Sequence, residues 1–182
     1  MYTKSCSFIG HRKIEITEEL KSRLYNLIDE LISKHGVTEF LFGSRSEFNS
    51  LCHKIVTDLK KRHPHIIRIS YTCKHESCPL EKDKDYWKKI YAQINKDCIQ
   101  FFDKEVEFKN KYSSGKASYV ERNFAMINDS DFCVFYYNEY YELEWKKISK
   151  KSAGLFQPKS GTKLAYEYAR KNKKIVFNTF MK

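Results

Sequence analysis

Short apolar runs alternate along this chain with longer stretches in which apolar residues recur every three or four positions. This is the pattern of strands alternating with amphipathic helices. The run Cys6 to Ile9 ends in Gly10-His11-Arg12 and predicts a buried strand leading into a loop. From Ile14 to His35, Leu20, Leu24, Leu27, Ile28, Leu31 and Ile32 keep helical spacing, with Thr17 placed to cap the start and Gly36 just past the end. Glu39 to Phe42 predicts a second strand, stopped by Gly43-Ser44. A second helix carries Phe48, Leu51, Cys52, Ile55, Val56 and Leu59. Pro64 breaks that helix, and the β-branched stretch His65 to Tyr71 predicts a third strand.

Beyond Thr72 the pattern weakens. The segment 72–116 contains KHESCPLEKDKDYW, a helix expected around Tyr86 to Phe102, and a charged tail, and is read as an insertion or lid. Regularity returns with a helix from Ser118 to about Asp129 and a strand Phe132 to Tyr137. A basic, turn-rich segment over 138–158 is expected to be mobile; a helix opened by Ser160 and a strand Lys174 to Asn178 follow. Strands separated by helices imply right-handed crossovers, so the chain predicts one α/β domain over 1–182. Its expected architecture is a Rossmann-like three-layer fold with a mainly parallel sheet of about five strands.

Composition narrows the function classes. With 41% hydrophobic and 15% aromatic residues the chain has the material for a folded core. No apolar run is long enough to span a membrane and the N-terminus lacks a signal-peptide pattern, so a cytoplasmic protein with reduced cysteines is expected. The net charge of +11 favours anionic ligands, while the dispersion of the lysines argues against a dedicated nucleic-acid face. Cys73, His75 and Cys78 lack a second ligand pair at matching spacing, so no metal site and no cofactor is expected.

In a parallel sheet the ligand crevice lies outside the carboxyl ends of the strands. That rule collects Gly10, His11 and Arg12, then Gly43, Ser44, Arg45 and Ser46, and the turn Lys159-Ser160-Gly161-Thr162. Glycines admit close backbone approach, helix N-termini offer free N–H groups, and hydroxyl and guanidinium groups bind phosphate oxygens. In SYVERNFAMINDSD, Glu121, Arg122 and Asn123 add a carboxylate beside a guanidinium, able to hold ribose hydroxyls and a phosphate together. Neither GxGxxG nor GxxxxGK[ST] occurs.

Four stretches in this order, FIGHRK, EFLFGSRSEFNSLCHKIVTDLKKRHP, YVERNFAMINDSDFCVFYY and KSGTKLAYEYARKNKKIVF, resemble the SLOG superfamily of LONELY GUY and DNA-processing protein A relatives. The likeness is nearest to the small bacterial proteins with a Gly-His-Arg loop. It implies a Rossmann-like fold with a pocket for nucleotides or nucleotide-derived ligands. In the LONELY GUY enzymes, which cleave the base from nucleoside 5′-monophosphates, an Arg before the fourth strand and a Glu in a G-G-x-G-T-x-x-E turn are used. Arg122 matches the first, whereas Ala165 stands at the second and Lys159-Ser160 replaces the Gly-Gly.

A methyl group at 165 can neither activate water nor stabilise an oxocarbenium-like centre. The expected function is therefore binding of a nucleotide or nucleotide-derived small molecule by a sensor or regulatory module, acting through a partner or a homodimer or higher homo-oligomer. The alternative is a nucleotide N-glycosidase using Glu121 or His11, with Arg122, as catalytic groups. A third class, single-stranded nucleic-acid binding, draws on the charge and on the aromatics of FYYNEYYELEW.

Overall fold

The computed structural model describes residues 3–43, 45–73, 76–90, 99–109, 116–141 and 160–181. Among these residues, six strands and five α-helices occur in the order β1 (Lys4–Gly10), α1 (Glu18–Ser33), β2 (Val37–Phe42), α2 (Glu47–Leu59), β3 (Ile67–Thr72), α3 (Lys84–Ile90), β4 (Lys104–Glu107), α4 (Lys116–Asn128), β5 (Phe132–Tyr136), α5 (Gly161–Lys171) and β6 (Ile175–Asn178). Local chemistry sets the ends. Thr17 Oγ1 accepts the Leu20 N–H at 3.1 Å to open α1. Gly36, at φ +70°, takes the left-handed conformation that closes the helix, and its N–H reaches Ile32 O at 3.2 Å.

Every strand pairs parallel with its neighbours, in the order β4-β3-β2-β1-β5-β6. This is a Rossmann-like α/β sheet with one strand more than the sequence predicts. Strand periodicity divides the core. Cys6 and Phe8 of β1, Phe40 and Phe42 of β2, and Phe132 and Val134 of β5 pack with Leu20, Leu24 and Ile28 of α1 and with Phe48, Cys52 and Val56 of α2. The alternate residues Ile9, Cys133 and Phe135 pack with Ile127 of α4 and with Ala165 and Ala169 of α5. Helices thus cover both faces, the condition under which a parallel sheet is stable.

The additional strand, β4, lies in the charged stretch that the sequence pattern does not assign to the sheet. Only Val106 of its KEVE is even partly buried, as befits an edge strand, and amphipathic alternation over four residues is too short to detect. The helix expected over Tyr86 to Phe102 is seen as α3 up to Ile90, residues 91–98 lying outside the described residues, and its expected far end is not helical: Phe102 makes a parallel β-bridge with Leu80. Two devices clamp this return. His53 Nε2 donates to Phe101 O at 2.9 Å. The Arg68 guanidinium, almost fully buried, pairs with Asp103 at 3.0 Å and Glu81 at 3.0 Å and donates to Thr57 Oγ1 at 2.9 Å.

Candidate functional site

The sheet order reverses at β1, which has β2 on one side and β5 on the other, so the carboxyl ends of β1 and β5 form the topological switch point. Gly10 closes β1 under the first turn of α2. A Cβ there would stand 2.6 Å from Phe48 Cβ, so only glycine fits. His11 follows, buried, its ring stacked on Tyr141 at 3.8 Å with 8° between planes. Its Nε2 lies 3.0 Å from the Asn138 backbone N and 3.2 Å from the Asn138 carbonyl O.

Burial pushes this imidazole down to about 4, the Asn138 backbone opposing it. At neutral pH His11 is therefore an uncharged ring that joins the ends of β1 and β5. Arg12 is exposed, and its carbonyl accepts the Glu47 N–H at 2.9 Å, while Glu47 Oε2 accepts the Ile14 N–H at 2.9 Å. These two bonds tie the loop after β1 to the start of α2. Ser46 is consumed as the N-cap of α2, its Oγ accepting the Asn49 N–H at 3.1 Å.

Beside the switch point, over the carboxyl ends of β2 and β3, lies a cleft of about 360 Å³, bordered by Phe42, Gly43, Arg45, Thr72, Glu76 and Gln100 among others. Small-molecule sites span about 300–1,000 Å³. Arg45 is exposed at this cleft. Behind Gly43 sits Arg122 of α4, 2% exposed; a Cβ on Gly43 would come 2.8 Å from its Nε. Arg122 Nη1 pairs with Glu76 Oε2 at 3.2 Å, its guanidinium lies 5.1 Å over the Tyr119 ring, and its Nε has no hydrogen-bond partner among the described residues. Glu76 Oε2 also accepts the Cys73 N–H at 2.6 Å.

The sequence-predicted residues thus fall into groups. Gly43 and Arg45 border the cleft with Arg122 buried behind Gly43, and Gly10, His11, Arg12 and Ser46 lie at the adjoining switch point. Ser160, Gly161 and Thr162 open α5, with Ser160 Oγ accepting the Lys163 N–H at 3.0 Å. That helix packs on α4, β1 and β6, so this turn belongs to the β5 side of the edge. Glu121 is half-buried and Asn123 buried on α4; neither borders the cleft. Ser44 and Lys159 lie outside the described residues, as do His75 and positions 142–158 of the segment expected to be mobile.

Glu76, Ser77 and Gln100 are cleft residues that sequence reasoning missed, because they lie in the segment taken for an insertion. One signal was available. In IRISYT, Arg68, Ser70 and Thr72 alternate with apolar residues, which makes one face of an otherwise buried strand polar. That face is the one shared with Phe40 and Phe42, and its carboxyl end forms part of the cleft wall.

No family model matches the sequence, and no curated protein does. Among solved structures, the fold is similar to that of DNA processing protein A from Helicobacter pylori, reported for its single-stranded DNA binding mode, with a TM-score of 0.53 at 16% identity. The match covers 96% of this chain but only 64% of that one. At this identity the likeness establishes the fold alone, a shared Rossmann-like architecture.

Proposed function

We propose that the protein binds a nucleotide or nucleotide-derived ligand at the carboxyl edge of its sheet and serves as a sensor or regulatory module. The observation that carries this reading is the cleft over β2 and β3, with the Arg45 guanidinium at its border and the buried Arg122–Glu76 pair behind it. An exposed arginine supplies bidentate donors for phosphate, and the half-buried Pro79 and Ile99 of the lining offer apolar surface for a base. Ala165 speaks for binding without cleavage. It is fully buried against Ile9 and Phe135, so that position belongs to the apolar layer and not to the cleft.

Thermal shift of the full chain against nucleoside mono- and diphosphates and cyclic dinucleotides tests the reading. A ligand at 100 times its Kd stabilises by about 2.7 kcal/mol, and Arg45→Ala should abolish most of that shift. If no nucleotide raises the Tm, the reading fails. Single-stranded DNA is a second reading, favoured by the fold shared with DNA processing protein A and by the net charge of +11. It predicts affinity for oligonucleotides that falls steeply with salt.

A further inference from the structure

We propose that Glu76 is the ribose-reading group of the cleft, which makes the site selective for ribonucleotides over their deoxy counterparts. The inference rests on the nucleotide reading above and goes further by naming the acceptor and the part of the ligand it meets. Glu76 is a carboxylate bordering the cleft at the end of β3, opposite in charge to Arg45. Its two oxygens are not equivalent. Oε2 is saturated, accepting both the Cys73 N–H at 2.6 Å and Arg122 Nη1 at 3.2 Å. Oε1 accepts no hydrogen bond from the described residues.

The side chain is therefore held from behind with one acceptor oxygen unused by the described residues. An ionised carboxylate accepts and never donates, so a ligand must meet Oε1 with a hydroxyl or an N–H. Arg45 on the same cleft calls for an anion on the same ligand. A sugar phosphate carries both features, hydroxyl donors beside a phosphate. The half-buried Pro79 and Ile99 in the cleft lining leave apolar surface for the base. The buried guanidinium has a positioning role: its long contact with Glu76 and the π-face of Tyr119 beneath it hold the carboxylate in place.

The test is isothermal titration calorimetry of the full chain with ribonucleoside 5′-monophosphates of all four bases, their 2′-deoxy and 3′-deoxy analogues, and the Glu76→Gln variant. Glutamine keeps an acceptor for Arg122 and Cys73 and removes the carboxylate charge. Wild type should prefer the ribonucleotide by about 10- to 100-fold over at least one deoxy analogue, the range for a hydrogen bond to a charged group. In Glu76→Gln the preference should fall to about twofold or less. Equal binding of ribo- and deoxyribonucleotides by wild type overturns the inference and leaves the nucleotide reading standing; this arm needs no variant, so a failure of Glu76→Gln to fold does not shelter it. A preference that survives in folded Glu76→Gln, or one that follows the base instead of the sugar, also overturns it. Absence of binding by every nucleotide removes both readings.

Discussion

Replacing Asp103 by alanine should destabilise the protein by about 2–3 kcal/mol at neutral pH. The carboxylate accepts from Arg68 Nε at 3.0 Å, Arg68 Nη2 at 3.2 Å and the Arg68 backbone N–H at 2.8 Å, and pairs with Lys60 Nζ at 3.1 Å. The Arg68 side chain is only 3% exposed, so water cannot take over these contacts. Stripping the partner from a buried charge costs about 3–5 kcal/mol. Here Glu81, at 3.0 Å, retains part of the compensation, and Asp103 itself is 19% exposed, which lowers the figure to the range given. Urea denaturation followed by circular dichroism measures it, as a shift in midpoint at unchanged m-value. For a chain of this size the same loss lowers Tm by about 4–12 °C.

The pH dependence gives the same argument a sign. Burial alone would raise the Asp103 carboxyl, but its hydrogen bonds from Arg68 and Lys60 outweigh this and hold it below the usual range. A depressed carboxylate contributes its full stability above its unfolded value, about pH 4, and loses that contribution as pH falls toward the folded value. The gap between wild type and Asp103→Ala should therefore be constant from pH 7 to 5 and narrow below about pH 4. A double-mutant cycle with Arg68→Met isolates the coupling. A loss below about 0.5 kcal/mol, or no coupling in the cycle, would refute the claim that a buried ion cluster fastens the segment after β3 to the sheet.

Two further outcomes follow from the switch-point geometry. Gly10→Ala should cost about 1–3 kcal/mol by forcing the fully buried Phe48 off its position, and should cost less in a Phe48→Leu background; an unchanged thermal midpoint would contradict the close approach. His11 and His53, both pushed by burial to about 4 from an ordinary 6.5, stay neutral when folded while the unfolded chain takes up protons. Stability is therefore fully present above about pH 6.5 and falls as pH drops toward 4, and His53→Gln should flatten the Tm profile across that window; a flat wild-type profile would count against both environments.

The sequence alone determined most of the scaffold. Helices α1 and α2 follow from apolar spacing long enough to give an unambiguous period, and their first turns follow from Thr17 and Ser46, whose hydroxyls cap locally. Strands β1, β2, β3, β5 and β6 follow from short apolar runs bounded by turn residues, and their parallel pairing from the helices between them. The roles of Gly10 and Gly43 as points of close approach could be suspected, since a glycine ending a buried strand usually meets something.

Only the tertiary structure decided what those residues meet. The strand Lys104–Glu107 has almost no apolar signal, because an edge strand is held by backbone hydrogen bonds that any side chain permits. The carboxylate partner of Arg122 is Glu76, 46 residues away, and not its sequence neighbour Glu121. Consecutive residues on a helix point about 100° apart, so adjacency in sequence does not bring two side chains to one spot. His11, which invites a charged role when read alone, is made neutral by burial beneath Tyr141, against the opposing Asn138 backbone, contacts that bring together residues some 127 positions apart. Periodicity and capping are local and can be read along the chain, whereas charge state, pairing and the shape of a cleft depend on which distant groups exclude water from one another.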